Sequence, residues 1–389
     1  MINAGDTGSH LSEPNNSWWK QGWSFRRLGI PFLLVTSSLL LSLVMVEGAV
    51  RLFLPHWAPR TGQIANFWKF DSRYGWAHIP GTSGPFDSYG FQTTVRINAN
   101  GFRGPEVLYA RTDERRRVLI LGDSFVWGFG VNEQEMFTTR LEEILPGLEA
   151  VNLGVSGYST DQELLLYQNE GYKYQADMIV ILVTGNDLQG ITEPVIFFSY
   201  AKPVFRLESG NLVLRNYPVQ QTPRLVHYAA KLASRSYLMT GLNRLRERFG
   251  RSHTLHGEKS NSKELTNPKV AGNGNGKLSF PGKPVESLMV EELLELRYSI
   301  IEKQPKAKFL VVFREDRRDF RKMCSYLRGQ GISCLLLGHY LDGIDEAITL
   351  PQDFHWNARG HELVAKVLAE AMEYEFARVE TRPAHVFRE

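Results

Sequence analysis

The chain has 389 residues, 43% of them hydrophobic, and its 45 basic and 42 acidic side chains leave a formal net charge of +3. That is enough apolar material for a sizeable core. The positive charge is too small and too scattered to argue for nucleic-acid binding, and the short run Arg115 to Arg117 reads as a solvated entry to a strand. No Cys/His cluster has the spacing of zinc ligands.

Residues 1 to 27 form a polar tail without apolar periodicity, expected to be disordered. Trp18, Trp19 and Trp23 stand out in it, just ahead of Arg26 and Arg27, as an aromatic belt at a membrane interface would. Leu28 to Val46 is then 19 residues without a charge. At about 1.5 Å per residue such a helix spans a bilayer core. Pro31 falls near its start, where a helix tolerates it. A signal peptide has a shorter apolar core, and no A-x-A site follows Val46. Residues 28 to 54 are therefore expected to be one transmembrane helix and its exit, with Glu47 and Arg51 four apart and able to pair. Lys20, Arg26 and Arg27 outweigh Arg51 and Arg60 slightly. That bias puts the N-terminus in the cytoplasm and the bulk of the chain in the periplasm or outside the cell.

Residues 55 to 116 are a lead-in rich in Gly, Pro, Asn and aromatics. Val95, Ile97 and the Asn98-Ala99-Asn100-Gly101 turn predict short strands and hairpins. This segment is expected to be a collar or lid over the sheet edge rather than a substrate contact.

From residue 117 to 376 the pattern alternates in α/β fashion. Strands are expected at Val118 to Leu121, Ala150 to Leu153, Met178 to Val183, Phe309 to Phe313 and Ser333 to Leu337. Their apolar runs suit a parallel sheet buried on both faces. Helices are expected at about Glu133 to Ile144, Gln162 to Glu170, Val285 to Lys303 and Asp319 to Gln330. A last one is capped by Asn357, with Leu363, Val364, Val367, Leu368 and Met372 on its apolar face. Residues 190 to 285 look like an insertion. It holds a hairpin from Val204 to Tyr217 turning at Ser209-Gly210-Asn211, a helix at 224 to 249 and a flexible stretch at 251 to 283. Residues 377 to 389 are a tail. Cys324 and Cys334 fall on a predicted helix and the following strand. Bonding would need their Cα atoms within about 7 Å, and two buried thiols are the simpler expectation.

The chemistry gathers at strand ends, where sites form in open α/β sheets. Gly122-Asp123-Ser124 follows the first strand at once. Taken alone it reads as a turn. The P-loop is excluded because no Lys follows Gly128, and the G-x-S-x-G elbow because Val126 stands in place of its second Gly. A serine there needs a base held by a carboxylate. Asp353 and His355 supply both on one loop before the final helix. His361 is a rival base, but it falls on the helix, where capping or packing suits it better. Gly154-Val-Ser156-Gly157-Tyr158 and Thr184-Gly185-Asn186-Asp187 end the second and third strands. Trp127 and Phe129 read equally well as groove lining or as core.

These blocks resemble, in order, those of the SGNH (GDSL-type) hydrolases, from about residue 117 to 374. The resemblance implies a three-layer α/β/α fold with a parallel, flavodoxin-like five-stranded sheet. It also implies Ser124 as nucleophile, His355 as base and Asp353 as its carboxylate. The oxyanion hole would be made by the Ser124 and Gly157 amides and the Asn186 side chain, with Gly154 a rival to Gly157. Many members have D-x-x-H where this chain has Asp353-Phe354-His355. Gly101-Phe-Arg103-Gly104 resembles a segment before the nucleophile block in membrane-linked bacterial members. The implied activity is a membrane-anchored serine esterase acting on an acylated small molecule or, by resemblance, an acetylated cell-surface glycan. An acyltransferase with the same triad, or a non-catalytic envelope assembly protein, are the alternatives. The resemblance implies neither metal nor cofactor, and it leaves protein partners unknown.

Overall fold

The computed structural model describes residues 25–54, 57, 67–88, 91–196, 200–234, 236–242, 245, 280–344, 347–351 and 353–378. The tail tryptophans and the 251–283 stretch, apart from 280–283, lie outside the described residues. The chain divides into two compact units, residues 1–59 with 236–258, and 60–235 with 259–389.

In the first unit, α1 (Phe25–Phe53) covers the helix and exit expected over 28 to 54, starts three residues earlier and contains Pro31. Its part Ile30–Phe53 has a mean hydropathy of 2.0, long and apolar enough to cross a membrane. Glu47 pairs with Arg51 at 2.9 Å, as their spacing predicts. The same carboxylate accepts from Ser236 Oγ (2.8 Å) and from the Tyr237 and Leu238 amides at the start of a second helix, residues 237–242. Those are the amides that a helix cannot satisfy internally.

In the second unit, the lead-in forms two hairpins. Strand β1 (Trp68–Asp71) pairs with β2 (Gly75–His78), and β3 (Ser83–Ser88) with β4 (Phe91–Arg96). The central sheet follows, built from β5 (Arg116–Gly122), β6 (Leu148–Gly154), β7 (Met178–Val183), β12 (Lys308–Phe313) and β13 (Ser333–Leu336). Between β7 and β12 lie the short β8 (Val195–Ile196) and β9 (Tyr200–Ala201) and the hairpin β10 (Val204–Glu208) with β11 (Asn211–Arg215). That hairpin turns at Ser209-Gly210, as expected. The sheet is wholly parallel in the order β13-β12-β7-β5-β6. Numbered within the sheet this is 2-1-3-4-5, the flavodoxin-like winding, whose order reverses between β5 and its neighbours.

The alternation of strand side chains divides the core in two. Leu119, Leu121, Ile179, Ile181, Val311 and Phe313 face one layer. That layer holds α4 (Thr160–Asn169), α8 (Pro284–Lys303) and α9 (Arg318–Gly329). Val118, Ile120, Val180, Leu182 and Val312 face the other, with α3 (Phe137–Ile144) and α11 (Ala358–Ala377). The fold is thus a three-layer α/β/α sandwich. The expected helix over Glu133 to Ile144 is split, with a 3₁₀ turn at Glu133–Glu135 and α3 from Phe137. The helix expected over 224 to 249 is divided into α6 (Arg224–Ser234) and α7 (residues 237–242), and two four-residue helices not expected from the sequence are α5 (Asp187–Gly190) and α10 (Gly338–Leu341).

Three expectations change. The collar does not merely cover a sheet edge. Phe67, Phe86, Val95 and Ile97 form a core with Trp127 and Phe129, the residues just after Gly122-Asp123-Ser124. Trp127 and Phe129 are therefore core residues. Arg117 is buried rather than solvated. It pairs with Glu149 at 2.5 Å and donates to the carbonyls of Tyr109 and Tyr174, because β5 is flanked by strands on both sides and its entry is roofed by the lead-in. Finally, Cys324 and Cys334 form a disulfide with Cα atoms 5.6 Å apart. Helix α9 and β13 run back to back through a tight turn at Gly331, so the two positions meet.

Candidate active site

The end of β5 turns abruptly into a four-residue helix, α2 (Ser124–Trp127). Asp123, fully buried, caps it by accepting the Phe125 amide at 2.9 Å. Ser124 is the first helical residue, so its own amide has no partner within the helix. Helix α2 presses onto β6, and only glycine permits this at Gly154. A Cβ there would lie 2.3 Å from the Trp127 nitrogen.

The Ser124 hydroxyl lies 2.6 Å from His355 Nε2. Nδ1 of the same ring is hydrogen-bonded to Asp353 Oδ1. That oxygen also accepts the His355 backbone amide at 2.8 Å. The short D-x-H spacing explains this: a carboxylate reaches the amide two residues on, as in an Asx turn, and from there reaches the ring of the same residue. With Nδ1–H donating to Asp353, Nε2 is the lone-pair nitrogen facing the serine. The rings of Phe125, Phe129 and Phe354 lie 4.8, 4.5 and 4.5 Å from the imidazole and hold its plane.

At the end of β7, Asn186 donates its side-chain amide to Asp123 Oδ2 at 3.1 Å, and its oxygen is bonded to the Thr184 hydroxyl. A carboxamide has two N–H groups, so one remains beyond the bond to Asp123. Asp187 fixes this turn by accepting the Thr184 amide at 2.7 Å. At the end of β6, the Tyr158 amide closes a turn onto the Val155 carbonyl at 3.1 Å, with Gly157 at φ +82°. This is the third position of a type II turn, which favours glycine. The Ser156 carbonyl accepts Trp76 Nε1 from β2 at 3.1 Å. Carbonyl and N–H of one trans peptide point oppositely, so the Gly157 amide faces away from Trp76. The rival Gly154 amide is already bonded to Asn152 Oδ1 at 2.8 Å.

His361 is buried on α11 and accepts the Phe137 amide at Nδ1, 3.2 Å, while stacking on the Phe137 ring. Burial pulls its pKa down to about 3. It packs, as expected, and no hydrogen bond joins it to Ser124.

The roles of Asp123 as cap and anchor, of Thr184 as a link to Asp123 and Asn186, and of Trp76 were not read from the sequence, where Phe129 reads as groove lining or core. Asp123 has a local signal, being the residue between a strand end and a helix start. Trp76 has none, since its partner Ser156 lies 80 residues away in the chain. Beneath the site, α4 buries Asp161 and Glu163, beside Asp187 and Glu292. Asp161 bonds to the buried Lys202. Burial and mutual repulsion push the Glu163, Asp187 and Glu292 carboxyls well above the usual range. Among the described residues no group of His, Cys, Asp or Glu is arranged to hold a metal ion.

Ser124, His355 and Asp353 thus stand in one hydrogen-bonded row at the carboxyl edge of a parallel α/β sheet. No protein-family model matches the sequence, and no curated protein matches it. Solved structures do. A psychrotrophic esterase EstA from Pseudoalteromonas sp. is 10% identical at a TM-score of 0.37, over 68% of this chain and 100% of that one. A member of the lipolytic G-D-S-L family from Veillonella parvula is 12% identical at 0.34, over 68% and 100%. A two-domain esterase active on acetylated mannans is 11% identical at 0.38, over 70% and 53%.

Proposed function

We propose that this chain is a membrane-anchored serine esterase that removes an acyl group, acetyl in the simplest case, from a cell-surface glycan. The observation that carries the reading is the 2.6 Å contact between Ser124 Oγ and His355 Nε2, two residues 231 apart in sequence. His355 takes the hydroxyl proton as Ser124 Oγ bonds to the ester carbonyl carbon. Asp353 holds the tautomer and stabilises the imidazolium. The oxyanion is met by the Ser124 and Gly157 amides and the spare N–H of Asn186. The imidazolium then protonates the leaving alcohol, and the acyl-oxygen bond breaks. Water, deprotonated by the same histidine, releases the acid from the acyl-enzyme. No cofactor enters the scheme. The glycan is what the resemblance of the sequence blocks implies. Helix Ile30–Phe53 serves as the anchor, with the N-terminus in the cytoplasm. The Cys324–Cys334 disulfide supports placing the catalytic domain in an oxidising compartment, the periplasm or cell exterior.

The test is hydrolysis of p-nitrophenyl acetate by the full chain in detergent, with Ser124→Ala and His355→Ala beside it. Both variants are expected to lose activity by about 10³-fold or more. Full activity in Ser124→Ala would sink the assignment. A parent that hydrolyses nothing, yet labels at Ser124 with a fluorophosphonate, would be a transferase awaiting its acceptor.

A further inference from the structure

Arg103 belongs to the segment between β4 and β5, outside the sheet, yet it is only 1% exposed. Its Nη1 donates to the carbonyls of Trp127 (3.1 Å) and Gly128 (2.6 Å), and its Nη2 to that of Val131 (2.7 Å). The guanidinium lies over the Trp127 ring, 4.6 Å from its centre. Among the described residues it forms no ion pair. Burying a cation without a counter-ion is unfavourable, and burial draws its pKa down to about 10. An apolar side chain would fill the same space without that penalty. What only the guanidinium supplies is a rigid fork of donors that ties three carbonyls together.

Those carbonyls end α2 and form the loop beyond it. Helix α2 has four residues, held by the bonds of Trp127, Gly128 and Phe129 back to Asp123 and Ser124. A single helical turn is not self-sustaining. The same loop carries Phe129, whose ring lies 4.5 Å from the His355 imidazole. One cation therefore touches the supports of both reacting side chains.

We infer that Arg103 is a positioning residue for the Ser124–His355 pair: by clamping the Trp127, Gly128 and Val131 carbonyls it sets the direction of α2 and seats Phe129 against the imidazole. It touches neither the substrate nor the reacting atoms. The inference rests on the serine-esterase reading, and its test separates the two.

The full chain in detergent is compared as parent, Arg103→Lys, Arg103→Met and Arg103→Ala, with the exposed Arg215→Met as control. Three quantities are read: the rate of fluorophosphonate labelling, kcat and KM for p-nitrophenyl acetate, and the downfield imidazole N–H resonance of His355, assigned with His355→Ala. In folded Arg103→Met, labelling and kcat are expected to fall roughly 100-fold with KM little changed, and the imidazole resonance to shift or broaden. Arg103→Lys recovers little, because an ammonium has no planar fork. Guanidinium ion at a sub-denaturing concentration partly restores Arg103→Ala. A folded Arg103→Met with parental labelling and an unmoved resonance would overturn the inference. So would a loss that merely tracks the fraction unfolded. If the parent itself fails to label, the esterase reading falls, and the resonance still decides whether Arg103 holds the histidine.

Discussion

At the scale of single residues, the candidate site is held by bonds that orient backbone. Trp76 is one. Its indole N–H fixes the Ser156 carbonyl and so the direction of the Gly157 amide. Trp76→Phe keeps the ring contacts with Tyr158 and Tyr200 but removes the donor. Under the proposed mechanism it should lower kcat about tenfold, or roughly 1.4 kcal/mol in the barrier, with KM unchanged. A rise in KM at constant kcat would instead make Trp76 a ground-state binding residue. Neither Trp76 nor Arg103 is legible in the sequence as part of a site. An isolated Trp or Arg in a Gly-rich segment has no periodicity, and the carbonyls it serves lie more than twenty residues away. Ser124, Asp353 and His355 were legible because their types carry the chemistry and because each stands at a strand end or ahead of a helix.

At the scale of elements, the loop that holds Asp353 and His355 is tied down on its far side by the start of α11. Asn357 caps that helix by accepting the Gly360 amide at 2.9 Å, and its own amide reaches the carbonyls of Ala347 and Thr349. Asn357→Ala should lower stability by about 1 kcal/mol, in the usual range for a lost cap. It should also lower kcat, since His355 is two residues upstream. Chemical denaturation and steady-state kinetics on one preparation check both, and an unchanged kcat would show that the loop holds itself. The strands were read correctly because a sheet buried on both faces demands unbroken apolar runs. The collar was read as a cover because short hairpins reveal where they turn but not what they pack against.

For the whole molecule, buried ionisable groups shape the pH response. His78 and His361 have pKa values drawn down by burial to about 4 and about 3. In the unfolded chain they titrate near 6.5. Below that pH the unfolded state gains protons that the folded state refuses, so stability is lost as pH falls from about 6.5 toward 4. At pH 5 this amounts to roughly 2 kcal/mol for each histidine. Glu163, Asp187 and Glu292 act with the opposite slope. Their carboxyls are held above the usual range. The unfolded chain ionises them above about pH 4 while the folded state stays protonated, so they lower stability as pH rises. Glu163→Gln removes one such group, whose two carboxyl oxygens have no hydrogen-bond partner. Its thermal midpoint should exceed the parent's by a margin that widens from pH 5 to pH 8. A margin independent of pH would show that Glu163 is ionised in the folded state. This cluster was hidden in the sequence, where Asp161 and Glu163 look like the polar face of α4, and only the packing of α8 turns that face inward.

Features that depend on local pattern were legible along the chain. The apolar runs became the parallel sheet, and the charge-free stretch became the long helix α1. Reactive residue types stood at strand ends, where the sheet winding must bring them together. Pairs remote in the chain decide the rest: the contact of Ser124 with His355, the disulfide, the buried Arg117 and the collar packed against Trp127 and Phe129. The physical reason is one of range. Strand and helix patterns arise from neighbours within a few residues. A guanidinium against three carbonyls, or a thiol against another thiol, depends on where the chain returns, and no local preference encodes that.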